Sequence, residues 1–234
     1  MQRKNNVKKA KNRSSSSTAW LLRHINDPFV QKAKEAGYIS RAAFKLLEID
    51  KKFQLFKKSL KYGNLLLDLG AAPGSWLQVL VENIKNCEVQ IFALDLREIS
   101  YHNDKIIKII GDFTDEKTLS LLKSATDTNS ISLVLSDMAP NSCGNKKTDH
   151  LRIMTLAEEV LTFMEQSLVA GGNGVIKVLQ GVLSQKLNKI AQNLFNNVYW
   201  YKPKASYSDS TELYLILIDK KKSIAKSNIL LYND

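Results

Sequence analysis

The chain has 234 residues, 44% hydrophobic and 24% charged, with a formal net charge of +11; these proportions fit one globular domain and exclude a disordered or collagen-like chain. No stretch comes near the ~18 uninterrupted apolar residues of a membrane span, and two cysteines, Cys87 and Cys143, are too few for a disulfide scaffold or a cysteine-ligated zinc site. The charge is one-sided: residues 1–61 hold 16 Lys+Arg against 4 Asp+Glu, whereas residues 62–234 hold 18 against 19. A basic quarter on a near-neutral body points to a polyanion, nucleic acid first, or else to a solvated face with no partner.

Residues 1–18 read as a disordered basic tail. Residues 1–13 hold six basic side chains and no acid, and no apolar core of a secretory signal follows. The expected location is the cytoplasm, with a mitochondrial address as the alternative for so acid-poor a start. Asp27-Pro28 reads as an N-cap and first helical residue, with the helix ended by Gly37. Ser40 caps a second helix reaching about Phe53. Residues 64–69 then form a buried strand, 75–84 a helix, 89–94 a strand, 105–110 a strand, 115–123 a helix and 131–136 a strand. A long helix over 148–169 is closed by Gly171-Gly172. Strand 174–179, helix 184–195 and strands 198–202 and 212–219 complete the pattern, before a lysine-rich tail.

Apolar strands alternating with helices predict an α/β fold, with a mostly parallel seven-stranded sheet covered on both faces. The last two strands are joined by a short link and read as an antiparallel pair. The domain division is a tail at 1–18, one domain at 19–220 (a basic helical part at 19–61 and a sheet core at 62–220) and a tail at 221–234. Acids recur at strand ends: Asp68, Asp95, Asp112 and Asp137. In open α/β sheets ligands bind beyond those ends, so the four acids outline one site.

Asp68-Leu-Gly-Ala-Ala-Pro-Gly74 joins the first strand to its helix. Gly70 permits a tight turn and Gly74 a close approach of backbone to ligand. The loop is not the dinucleotide G-x-G-x-x-G, and Pro73 lacks the N–H that a pyrophosphate would use. Asp95 is placed to accept from ribose hydroxyls, and Asp112 from an adenine amino group. Together they point to S-adenosylmethionine; the alternative is glycines that only turn the chain and an Asp95 that only caps a helix. Trp76 either packs near the cofactor or belongs to the core.

With these motifs stand Ser40-Arg-Ala-Ala-Phe-Lys45, Gly111-Asp-Phe113, Ser136-Asp-Met-Ala-Pro-Asn141, Lys177-Val-Leu-Gln-Gly181 and Ser210-Thr-Glu212. In this order, from about residue 14 to 219, the chain resembles the FtsJ/RrmJ family of RNA 2′-O-methyltransferases. The resemblance implies a Rossmann-like methyltransferase fold and a catalytic tetrad on Lys45, Asp137, Lys177 and Glu212. Lys177 would be the base or the group that orients the hydroxyl. It implies cofactor contacts at Gly74, Trp76, Asp95, Asp112 and Asp137, alongside Asp68 and Gly70 of the loop. S-adenosylmethionine is the expected methyl donor, with no metal. The expected reaction is methylation of a uridine ribose in large-subunit ribosomal RNA, on the assembled subunit, by a monomer that touches no membrane. A mitochondrial ribosomal or transfer RNA enzyme and a non-catalytic assembly factor are the rival readings. Ser75 departs from the family's usual third glycine, and Leu179 from its usual Phe. Lys177 alone, within the apolar Val175–Leu179 run, is also what an edge strand shows, and Lys45 alone what a solvated helix shows.

Overall fold

The computed structural model describes residues 15–84, 87–126, 130–140, 143–181 and 184–222. Residues 15–18, read as part of the tail, are helical: α1 spans Ser15–Ile25. Helix α2 (Pro28–Glu35) starts as its sequence dictates, with the Asp27 carboxylate accepting from Phe29 N and Pro28 in the first turn. Helix α3 (Ala42–Phe53) buries Ala43, Leu46 and Ile49 and ends at Gln54 in the left-handed region. There the Asp50 carboxylate accepts from Phe56 N at 2.9 Å, and a short α4 (Leu55–Ser59) begins. Its five residues are too few for a sequence period to reveal.

The seven strands run in spatial order β3 (Ile106–Ile110), β2 (Gln90–Asp95), β1 (Leu65–Leu69), β4 (Ile131–Ser136), β5 (Leu168–Leu179), β7 (Glu212–Lys220) and β6 (Phe195–Tyr201). Neighbours pair in parallel except β7, which is antiparallel to both β5 and β6. Helices α6 (Glu116–Ala125), α7 (Lys146–Ser167) and α8 (Ser184–Leu194) cover one face, where Leu122, Met154, Leu161 and Leu187 meet Leu67 and Leu215. Helices α3, α4 and α5 (Ser75–Asn83) cover the other, where Leu46, Leu55 and Leu77 meet Leu66 and Tyr214. Period-2 alternation along the strands sends successive side chains to opposite layers. Lys177 and Tyr214, paired across β5 and β7, therefore share the α3 face.

The end of the long helix differs from the sequence expectation. Gly171-Gly172 does not close the long helix, which ends at Ser167; β5 starts at Leu168 and carries both glycines inside it. The partner of Ile131 is Leu168 but that of Leu133 is Asn173, so the intervening residues bulge from the ladder. Gly171 has φ +84°, and the Tyr62 ring fills the space that a Cβ there would need. The helix end lacks a basic residue of its own. Lys220 from β7 supplies one, donating from Nζ to the carbonyls of Glu165 (2.5 Å) and Leu168 (2.6 Å).

Candidate active site

Three strands and one helix place the charged residues. Asp137 directly follows β4, Lys177 lies in β5, Glu212 opens β7 and Lys45 lies on α3. Lys177 Nζ is 3.1 Å from Asp137 Oδ1 and donates to the Asp137 carbonyl at 2.7 Å. Lys45 Nζ is 2.7 Å from Glu212 Oε1, which also accepts from Ser206 Oγ at 2.7 Å. These are two ion pairs, and Tyr214 joins them. Its hydroxyl donates to Asp137 Oδ1 at 2.7 Å and accepts from Lys45 Nζ at 3.3 Å. The result is one polar chain, Lys177–Asp137–Tyr214–Lys45–Glu212. Its four charged side chains are only 12–19% exposed.

Tyr214 joins the two pairs although the sequence singles out no role for it. It stands two residues beyond Glu212 in a strand, so both point to the same face; that spacing was the available signal. The ring is fully buried and lies 5.8 Å from the Trp76 ring. Burial, then the charges of Asp137 and Glu212, push its hydroxyl well above the usual range, so the phenol stays neutral and keeps its proton to donate. Tyr214→Phe keeps the ring and deletes both bonds to charged groups. Unfolding in urea is expected to give a loss of about 1.5–3 kcal/mol; an unchanged midpoint would show that the hydroxyl joins nothing.

A cavity of about 940 Å³ opens beside this chain, walled by Gly70, Ala72, Asp95, Asp112, Asp137 and Lys177 among others. Asp95 accepts from Ala72 N (2.9 Å) on one oxygen and Arg97 N (2.8 Å) on the other, so it does tie the loop together. A carboxylate has about four acceptor positions, and these bonds leave room for ligand hydroxyls. Both local bonds to Asp112, from the backbone and hydroxyl of Thr114, fall on Oδ1. The far wall comes from α7, where Leu151, Thr155 and Glu159 repeat at four-residue spacing. Burial and then the Asp112 charge raise the Glu159 carboxyl. Nothing local in the sequence says that this stripe faces a cavity.

Three expected cofactor residues, Trp76, Gly74 and Asp68, are buried and held by contacts within the protein. Trp76 is 3% exposed and its indole N–H donates to Ala42 O at 3.0 Å, pinning α5 to α3. Gly74 has φ +121°, and what approaches it is Tyr101, whose side chain fills the space a Cβ would need. Ser75, the departure from the glycine pattern, bonds Ser40 Oγ at 2.7 Å beside the start of α3.

Asp68 is the third. It is fully buried, and among the described residues neither carboxylate oxygen has a hydrogen-bond partner. Burial, then the charges of Asp137 and Asp95, raise its carboxyl well above the ordinary range. The folded state thus holds a proton that the unfolded chain releases near pH ~3.9, so this group makes stability fall as pH rises from there. Asp68→Asn removes that loss. In the ligand-free protein the variant is expected to unfold at higher urea than wild type at pH about 8, with the gap shrinking toward pH about 4. A gap independent of pH would mean that Asp68 is ionised in the folded state.

Among the described residues no helix is long and apolar enough to cross a membrane. Residues 38–220 match the FtsJ-like methyltransferase family. Two proteins named ribosomal RNA large subunit methyltransferase E are similar throughout. The one from Wolbachia sp. subsp. Brugia malayi is 41% identical over 91% of this chain and 93% of its own length. The one from Acidiphilium cryptum is 44% identical over 90% and 89%. A solved Plasmodium falciparum chain that carries the name of a ribosomal RNA methyltransferase superposes with a TM-score of 0.68 at 31% identity, over 78% of this chain and 98% of that one. Human methyltransferase-like protein 13, solved with SAH, superposes at 0.50 and 14% identity over 78% and 86%, and shares the fold alone. With the family matched over residues 38–220 and relatives similar over nine-tenths of its length, the chain belongs to the FtsJ-like methyltransferase family.

Proposed function

We propose that this protein methylates the 2′-hydroxyl of a uridine ribose in large-subunit ribosomal RNA on the assembled subunit, acting as a monomer in the cytoplasm. The observation that carries the reading is that Asp137 and Lys177 belong both to the cavity wall and to the polar chain. A ligand in the cavity and a hydroxyl at the chain would meet at one lysine. The names of the relatives support the RNA.

The residues present fit S-adenosylmethionine. Asp95 and Asp112 offer acceptors for hydroxyls and an amino group, and Asp137 offers charge to an ammonium or sulfonium. When bound, this group supplies a methyl whose departure leaves a neutral thioether, so the protein has one proton to manage. As an ammonium, Lys177 orients the 2′-hydroxyl, whose proton leaves to water; as a neutral amine it takes that proton itself. Asp137 and Tyr214 aim Lys177, and Lys45 and Glu212 brace Tyr214 from the other side. Holding the hydroxyl in line with the methyl is worth ~7–11 kcal/mol of barrier.

The test is incubation of labelled S-adenosylmethionine with large subunits from a modification-deficient strain, followed by mapping of the label. One methyl on a uridine 2′-oxygen is the expected result; label on a base, or on transfer RNA alone, would overturn the reading. A second measurement addresses the cavity. Asp95→Ala is expected to weaken S-adenosylhomocysteine roughly 10- to 100-fold by calorimetry, the loss of charge-assisted bonds to hydroxyls. RNA affinity should stay put. An unchanged dissociation constant returns Asp95 to a purely loop-tying role.

A further inference from the structure

The positive charge of the basic quarter is spent unevenly. Arg41 is paired with Asp27 and also bonds the Ala205 carbonyl, Arg23 is paired with Asp209, and Lys45 with Glu212. Among the described residues, Lys51, Lys52, Lys57 and Lys61 on and just after α3 and α4 are exposed and form no ion pair. Lys51 and Lys52 adjoin Phe53 at the end of α3, whose ring packs with Tyr199 and Tyr201 of the edge strand β6, and Lys57 and Lys61 follow on and just after α4. Tyr199 is 46% exposed, its ring 5.3 Å from Phe53 and inclined to it by 39°. Phe53 meets Tyr201 edge-on at 5.5 Å. Lys52 Nζ lies 4.3 Å from the Tyr201 ring centre, and the Tyr201 hydroxyl is held by Glu48 at 2.5 Å. Tyr201 pairs with Tyr214, so this cluster starts one strand away from the catalytic chain and runs outward along β6.

An exposed ring, backed by a second ring and bordered by unpaired ammonium groups, has the chemistry that holds single-stranded nucleic acid: a face for a base and cations for its phosphates. An acidic protein would use the lysines but gain little from one half-exposed tyrosine. Resting on the RNA reading above, we propose that Tyr199, backed by Phe53, stacks an unpaired nucleobase of the RNA outside the target nucleotide, while Lys51, Lys52, Lys57 and Lys61 take the adjoining phosphates.

The probe is a labelled single-stranded RNA of about twenty nucleotides, titrated with the full chain by fluorescence anisotropy at several salt concentrations. Tyr199→Ala is expected to raise Kd roughly 5- to 150-fold, the range that ~1–3 kcal/mol per stacked base implies. Its salt slope should equal that of wild type, since no charge is lost. Tyr199→Phe should bind as wild type does. Lys51→Ala combined with Lys57→Ala should flatten the slope, by ~0.7 for each phosphate no longer neutralised. Tyr199→Trp should lose indole fluorescence on RNA addition. Wild-type binding with an unchanged Kd in Tyr199→Ala, or no quenching in Tyr199→Trp, overturns the stacking proposal and leaves the RNA reading standing. Loss of RNA affinity together with a lowered melting temperature in Tyr199→Ala makes the ring structural and overturns it as well. A wild-type chain that binds no RNA at low salt removes the RNA reading itself, and this proposal with it.

Discussion

Lys177→Ala is expected to fold, bind both substrates and lose ~10²- to 10⁴-fold in the methyl-transfer step, the usual worth of a positioned proton-transfer group. The loss should fall on kcat, with KM for RNA and methyl donor nearly unchanged, because the interaction is made to the hydroxyl as it reacts. The fold should survive because Asp137 keeps the Tyr214 bond at 2.7 Å when the ammonium at 3.1 Å is removed. Lys177→Arg should not rescue. A guanidinium does not give up its proton, and its planar fork does not fit where one Nζ reaches both the carboxylate and the carbonyl of Asp137. Single-turnover methylation at saturating cofactor and RNA isolates the step. Near-wild-type turnover in the alanine variant would take Lys177 out of the mechanism and leave Lys45 as the residue to examine.

Asp137→Asn is expected to be the most destabilising change at the site. Burial pushes the Asp137 carboxyl up, but the ammonium groups of Lys177 and Lys45 and the bonds from Tyr214 and Lys177 outweigh it, and the net direction is down. Removing the anion strands a lysine in a largely buried place, at a cost of about 3 kcal/mol, the lower end for a broken buried pair. The pH dependence has a definite sign. A carboxyl lowered by folding contributes its stability in full above the ordinary range near ~3.9 and loses it as pH falls through the folded value. The gap between wild type and variant should therefore be widest at neutral pH and narrow toward pH about 3. Thermal or urea unfolding across that window decides; a gap that widens in acid would mean that the carboxyl is protonated in the folded protein at neutral pH. Transfer activity should fall as well, since Lys177 loses the group that aims it.

Short-range order was legible in the chain because its signals are local. The alternation of apolar runs and helical spacing predicts a sheet with helices on both faces, and the antiparallel end follows from the short link after residue 202, which leaves no room for a crossover helix. The helix at Pro28 and the acids at strand ends follow from side chains that act within a turn of themselves. The short α4 and the glycines inside β5 were not legible: a few residues carry no period, and Gly171 answers to Tyr62, a partner distant in sequence.

At the site the division is the same. Lys45, Asp137, Lys177 and Glu212 each announced themselves by motif, but their pairing did not. That Lys45 binds Glu212 while Lys177 binds Asp137, and that Tyr214 joins the two pairs, depends on β7 lying antiparallel against β5 with Lys177 opposite Tyr214. Trp76, Gly74 and Asp68 belong by motif to a cofactor loop; that Trp76 meets Ala42 and Gly74 meets Tyr101, and that α7 brings Leu151, Thr155 and Glu159 to the cavity, depends on packing. Residue type and spacing determine what a segment can do by itself; which atoms it meets is decided by strand register and helix packing, and those are set by the whole core at once.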